Sequence, residues 1–205
     1  MHPNPAFRRM DRAAAMAFAR ARAFGVLAVN ADGGPLLSHV PVTPTEDGAA
    51  VDLHLVRSNP ILRALPSRAV IAVSGPDAYV SPDWYGVPDQ VPTWNYIAVH
   101  LRGPLEALDH SDMRPMLDRQ SAHYEAALAP KPPWRADKMA PEALERMMRQ
   151  IVPCRMAIEA VDATAKLSQN KPDPVRLRAA DGVEAAGAGA ETAAMAAMMR
   201  AAGGP

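Results

Sequence analysis

The sequence predicts a mainly β fold with helical decoration, an antiparallel barrel or sandwich rather than a doubly wound α/β sheet. Three observations predict it: short segments of alternating apolar and polar residues, turns rich in glycine and proline, and helical segments that do not alternate regularly with strands. The 21 prolines are about twice the usual share of roughly 5%, which is typical of a chain with many turns and sheet edges.

The N-terminal part predicts one helix and then a run of antiparallel strands. Asp11 is a suitable N-cap for a helix over 12–23, and Gly25 would stop it. Strands are predicted at 24–30, 35–45 and 49–56. The turns between them, at 31–34 and 46–48, contain glycines that accept positive φ.

A short helix is predicted over 59–65, because Asn59 can cap it and Pro60 suits the first helical position. The remaining predicted elements are strands at 68–75, 77–80, 93–108 and 155–163, and helices at 112–129, 141–151, 174–185 and 191–201. The last helix carries a methionine stripe, Met195, Met198 and Met199, which we expect to pack on the barrel or on a partner subunit. We predict a main domain over 1–165, and a polar loop with a helical tail over 166–205.

Composition excludes several classes of protein. The 22 Lys and Arg residues balance 22 Asp and Glu, so net charge does not support nucleic-acid binding, although a local contact stays possible. The single cysteine, Cys154, cannot form an internal disulfide or a thiolate metal site. We expect a cytoplasmic protein with no membrane segment.

Five polar and aromatic segments stand out, while the common hydrolase, nucleotide-triphosphatase and zinc motifs are missing. They are SHVP at 38–41, HLVRSNP at 54–60, AYVSPDWY at 78–85, VPTWNY at 91–96 and KLSQNK at 166–171. In this order and spacing they resemble the PaiB family, usually described as FMN-binding negative transcriptional regulators. The resemblance implies a split β-barrel of the flavin-reductase and pyridoxamine-phosphate-oxidase type, FMN as cofactor, and a homodimer with the flavin near the subunit interface.

Arg57, Ser58 and Asn59 form the first candidate cofactor site. Arg57 offers a planar fork of donors, Ser58 a hydroxyl, and the predicted helix start free N–H groups, which together suit the dianionic phosphate of FMN. The alternative is that Asn59 only caps its helix and Arg57 pairs with a surface carboxylate.

Thr93, Trp94 and Asn95 form the second candidate cluster, at a junction between loop and strand. Alternation places Trp94 and Tyr96 on one face, where they could form an aromatic wall, and Asn95 on the other. Core packing is the alternative for these aromatic residues.

Lys166, Gln169 and Asn170 form a third cluster after the last predicted strand. Lys166 would place a cation near the flavin N1–C2=O region and so raise its reduction potential, while the two amides would bind the pyrimidine edge. A solvated linker explains the same residues.

His39 and His54 complete the set of candidate cofactor-binding residues. Both could hydrogen bond to phosphate or backbone, and no metal is expected because no further ligand stands at suitable spacing.

The leading hypothesis is an FMN-binding redox protein of unknown substrate, or a flavin-linked regulator. One alternative is a negative transcriptional regulator that binds DNA or a partner protein, and another is a split barrel that binds haem or a deazaflavin. No catalytic acid or base and no electron donor can be assigned, so enzymatic activity stays open.

Overall fold

The computed structural model describes residues 2–203, which form two compact units. One unit contains residues 2–18, 73–100 and 161–203, and the other contains 19–72 and 101–160. Met1, Gly204 and Pro205, at the ends of the two predicted domains, lie outside the described residues. The predicted boundary between 165 and 166 stays a prediction.

Residues 2–203 contain eight strands and five α-helices. The strands are β1 (Phe24–Val29), β2 (Leu36–Pro41), β3 (Thr43–Pro44), β4 (Ala50–Val56), β5 (Ser67–Val80), β6 (Thr93–Ala107), β7 (Ile151–Ala157) and β8 (Ala160–Lys166). The helices are α1 (Arg12–Arg22), α2 (Met113–Ala126), α3 (Pro141–Met148), α4 (Asp173–Ala186) and α5 (Thr192–Ala201). Short 3-10 helices include Pro60–Ala64 and Pro82–Tyr85.

The strands form one antiparallel sheet in the order β2-β1-β5-β6-β7-β4-β3, with β8 beside β6. Val26 on β1 lies opposite His39 on β2 and Ala72 on β5. The prediction of a mainly β fold with helical decoration is therefore confirmed.

Local sequence signals explain several boundaries. The Asp11 carboxylate accepts a hydrogen bond from the Ala14 amide at 2.7 Å, which is the predicted cap of α1. Along β6, Asn95, Ile97 and Val99 are buried, while Trp94 on the alternate face is exposed. The predicted alternation of faces on this strand is confirmed.

The predicted single strand over 155–163 is wrong, because the chain turns between β7 and β8. The turn passes close over Gly103 of β6, where an added Cβ would lie 1.8 Å from the Ala157 carbonyl oxygen. The Glu159 amide donates to the Arg102 carbonyl at 3.0 Å. This close approach requires glycine and could not be inferred from residues 155–163 alone.

Each unit has its own buried residues. In the second unit Leu27, Leu53 and Ile71 are fully buried. In the first unit α4 and α5 pack with the end of β5 and with Tyr85, and Met195 and Met199 of the predicted stripe are buried there. No helix within residues 2–203 is long and apolar enough to cross a membrane.

Candidate functional site

The turn after β4 holds the first predicted cluster, and it belongs to the second unit. Arg57 and Ser58 are exposed there. The Arg57 Nε donates to the Arg149 carbonyl at 2.8 Å, and its Nη2 lies 3.5 Å from the Ile151 carbonyl. These bonds fix the direction of the guanidinium, and its partners are carbonyl groups rather than the surface carboxylate considered from sequence.

Asn59 brings two of the five segments together. Its Oδ1 accepts from the Ile61 amide at 3.0 Å, so it caps the 3-10 helix as predicted. Its Nδ2 donates to the Ser38 hydroxyl at 3.1 Å. The SHVP segment and the RSNP turn are therefore neighbours, which their separation in sequence does not reveal.

The expectation of free N–H groups at this helix start is wrong. Pro60 has no amide hydrogen, the Ile61 amide binds the Asn59 side chain, and the Leu62 amide donates to the Asn59 carbonyl at 3.1 Å. The helix has only five residues. Any anion at this turn would be held by the side chains of Arg57 and Ser58.

The two candidate histidines lie on strands that are not neighbours in the sheet. His39 is exposed on β2 and stacks against Phe24 with ring centroids 6.3 Å apart. His54 on β4 is half-buried, its Nδ1 lies 3.2 Å from Oε1 of Gln120, and burial lowers its pKa despite that hydrogen bond. Within residues 2–203 no group of three or more His, Cys, Asp or Glu side chains could hold a metal ion.

The second and third predicted clusters belong to the first unit, where part of them lines a cavity of about 270 Å³. Thr93, Lys166 and Asn170 all line it. The Lys166 ammonium donates to the Thr93 hydroxyl, and burial lowers the pKa of this lysine. The structure thus joins the VPTWNY and KLSQNK segments through these two side chains.

Gln169 does not offer its amide to the cavity. Its Oε1 accepts from the Leu167 amide at 2.7 Å, and its Nε2 donates to the carbonyls of Ala6 and Ala165 at 3.2 and 2.5 Å. Both ends of the side chain therefore brace the turn itself, in place of the pyrimidine contact expected from sequence.

Asn95 and Trp94 also lie away from the lining of this cavity. Asn95 is fully buried and donates to the Ser168 hydroxyl at 3.0 Å. Trp94 is 51% exposed and meets Tyr79 edge to face, with ring centroids 6.3 Å apart. Core packing is therefore excluded for Trp94, which stays available as an aromatic wall.

Sequence reasoning missed Lys171 and Gln90 as lining residues of this cavity. The Lys171 ammonium donates to the Gln90 side-chain oxygen at 2.5 Å. Lys171 ends the KLSQNK segment, so a second lysine within that segment was an available signal. Gln90 lies in an irregular loop, where no periodic pattern indicates which way a side chain points.

A family model described as "Putative FMN-binding domain" matches residues 1–160. The chain belongs to this FMN-binding family. A curated relative, the protease synthase and sporulation protein PAI 2 of Bacillus subtilis (strain 168), is 30% identical over 158 residues, 75% of each chain. The predicted PaiB resemblance and FMN as the family's cofactor are confirmed.

Solved structures of similar fold include two that carry a flavin or haem in their names. The FAD and haem binding protein of Mycobacterium smegmatis has a TM-score of 0.56 and 16% identity, covering 78% of this chain and 73% of its own. The flavocytochrome Anf3 of Azotobacter vinelandii has a TM-score of 0.59 and 15% identity, covering 81% and 72%. At identities this low the likeness shows a shared fold and nothing more. The predicted split barrel is confirmed.

The family match ends at residue 160, before the KLSQNK segment and the helical tail. The homodimer, the cytoplasmic location and the individual cofactor-binding residues stay predictions.

Proposed function

We propose that this protein is a flavin-dependent redox protein, or a flavin-linked regulator, that holds the phosphate of FMN at the 57–59 turn. Family membership supports FMN as the ligand. The geometry that supports this turn as the phosphate site is the exposed pair of Arg57 and Ser58. The Arg57 Nε donates to the Arg149 carbonyl at 2.8 Å, which orients the guanidinium.

The side chains at this turn suit a phosphate dianion. A guanidinium whose direction is already fixed loses less side-chain entropy when it binds a phosphate oxygen. Ser58 adds a neutral donor, and the Asn59–Ser38 hydrogen bond holds the turn against β2. Bound FMN would supply hydride or single-electron transfer, and the chain would supply binding and orientation.

The Arg57→Ala variant tests the placement of the phosphate. We expect its FMN affinity to fall by about 1.5 to 3 kcal/mol, the range of a charge-assisted hydrogen bond, while riboflavin, which lacks the phosphate, binds as before. Quenching of flavin fluorescence measures both affinities. Arg63→Ala is the matched control, since Arg63 is an exposed arginine in the following 3-10 helix.

Two results would contradict the proposal at different levels. Absence of quenching at micromolar FMN would remove the flavin function. An equal loss of FMN and riboflavin affinity in Arg57→Ala would leave the function and reject the phosphate site. The absorption spectrum of the protein as isolated distinguishes flavin from haem or a deazaflavin.

A further inference from the structure

The cavity in the first unit concentrates positive charge. It is lined by Lys166, Lys171, Thr93, Asn170 and Asp89 among others. Within residues 2–203 neither lysine has a carboxylate within ion-pair distance, since Lys166 donates to the Thr93 hydroxyl and Lys171 to the Gln90 amide oxygen. Asp89 is an exposed carboxylate at the same cavity and offsets part of the charge.

Both ammonium groups are held at the faces of aromatic rings. The Lys166 Nζ lies 5.9 Å from the centroid of Phe7, and the Lys171 Nζ lies 5.4 Å from that of Tyr85. Both half-buried ammonium groups have neutral hydrogen-bond partners, and the lining of the cavity holds two lysines against one carboxylate, Asp89, so one of the two cations has no matching counter-charge there. An anion between them would supply it.

Side-chain hydrogen bonds hold the turn that carries the lysines. Ser168 adopts a φ of 59°, in the left-handed region. The Ser168 hydroxyl accepts a hydrogen bond from the Asn95 side-chain amide at 3.0 Å and lies 3.1 Å from the Tyr85 hydroxyl, so two side chains hold it in place. Backbone strain of this kind needs support from its surroundings and often occurs at binding sites.

The size of the cavity limits the ligand. Its volume of about 270 Å³ lies below the usual range of roughly 300 to 1,000 Å³ for pockets that hold drug-sized molecules. A single carboxylate or phosphate group with a short substituent suits this space.

We propose that this cavity is a binding site for a compact oxyanion, a carboxylate or a phosphate group, held between the ammonium groups of Lys166 and Lys171. Thr93 and Asn170 are the further donors that line it. The site lies in a different unit from the 57–59 turn, and the inference does not depend on the proposed FMN function.

Titration with inorganic phosphate and with acetate, in the absence of flavin, tests the site. We expect both anions to shift the backbone amide NMR signals of residues 166–171, and methylammonium to leave them unchanged. In the Lys166→Met, Lys171→Met double variant the affinity for phosphate should fall at least tenfold. The double Arg variant should retain binding because it keeps both charges.

Lys138→Met is the matched control, since Lys138 donates to the Pro133 carbonyl and does not line the cavity. It should bind phosphate as the unaltered protein does. The proposal is overturned if the unaltered protein shows no shift in residues 166–171, or if the shift persists undiminished in the double Met variant. The first of these results needs no variant, so misfolding of the double Met variant does not leave the proposal untested.

A second arm identifies the source of the oxyanion. If the group belongs to the nucleotide, FMN will displace inorganic phosphate, and the double Met variant will lose affinity for FMN but not for riboflavin. If the group belongs to a separate small acid, phosphate will still titrate residues 166–171 with FMN bound. Either result supports the oxyanion site.

Discussion

At the scale of single residues, Asp52 shows how a buried charge is compensated. It is 3% exposed on β4, and its carboxylate receives two hydrogen bonds from Arg155 at 2.7 and 3.0 Å and one from Arg119 at 2.8 Å. Burial alone would raise the pKa of Asp52, but the two arginines outweigh it and hold the pKa below its usual value. The native state therefore favours the ionised form.

Asp52→Asn should lower the free energy of unfolding by about 2 kcal/mol at pH 7, because it leaves two cations without their partner. The loss is below the roughly 3 to 5 kcal/mol of a fully buried pair because both arginines remain partly exposed to water. Urea denaturation measures the difference. Asp118→Asn, which breaks the exposed pair with Arg114, should change stability by less than about 0.5 kcal/mol.

The stabilisation that the ionised Asp52 carboxylate contributes has a defined pH dependence. Because the folded pKa is depressed, the stabilisation is complete above the unfolded value of about 3.9 and is lost as pH falls through the lower folded value. The difference between the unaltered protein and Asp52→Asn should therefore shrink below about pH 4. A constant difference down to pH 2 would contradict this account.

Cys154 provides a second test at the residue scale. It is buried on β7, and burial raises the pKa of its thiol to about 12. The thiolate is the reactive form, so the native protein should resist a disulfide reagent such as Ellman's at pH 8 and react fully in denaturant. Fast reaction of the native protein would show that β7 opens readily.

At the scale of elements, the segment between α4 and α5 binds along β5. The amides of Asp77 and Tyr79 donate to the carbonyls of Ala190 and Ala188 at 3.0 and 2.9 Å. Gly189 has a φ of 141°, and an added Cβ would lie 2.4 Å from the Asp77 carbonyl oxygen. Only glycine allows this approach.

Gly189→Ala should therefore lower the free energy of unfolding by about 1 to 3 kcal/mol, the cost of a backbone clash. Hydrogen exchange at the Asp77 and Tyr79 amides should speed up, which locates the effect at this contact. Gly33→Ala is the control, because its Cβ meets nothing within 4 Å. Unchanged exchange in Gly189→Ala would mean that the contact is absent in solution.

At the scale of the whole molecule, balanced charge bears on the regulator alternative. The chain has 22 basic and 22 acidic residues, and Arg20 in α1 donates to the Thr45 carbonyl at 2.8 Å. Arg8 forms an ion pair with Asp162 at 3.1 Å. These two of the five arginines at positions 8, 9, 12, 20 and 22 therefore have partners within the protein.

We expect duplex DNA to show no shifted band in a gel below about 10 µM protein at roughly 0.15 M salt, since counterion release needs an excess of basic side chains. The same gel at low salt is the comparison. A shift at lower protein concentration that weakens steeply with salt would show direct DNA binding and favour the regulator alternative.

Much of the fold could be predicted because its signals are local. Asp11 and Asn59 cap helices through amides two or three residues away, and the alternation along β6 follows from the two-residue period of a strand. The order of strands and the separate turn over Gly103 could not be predicted in this way, because they depend on pairs far apart in sequence.

The features of the candidate site also separate into those that local sequence predicts and those that depend on residues far apart in the chain. The residue types, the polar segments and the family that they resemble can all be read from the sequence. The folded chain was needed to show that Arg57 bonds to a carbonyl 92 residues away, that Gln169 braces its own turn, and that Lys166 and Lys171 line one cavity. A side chain's role depends on which distant groups compete for its hydrogen bonds and charge, and the folded chain alone sets those neighbours.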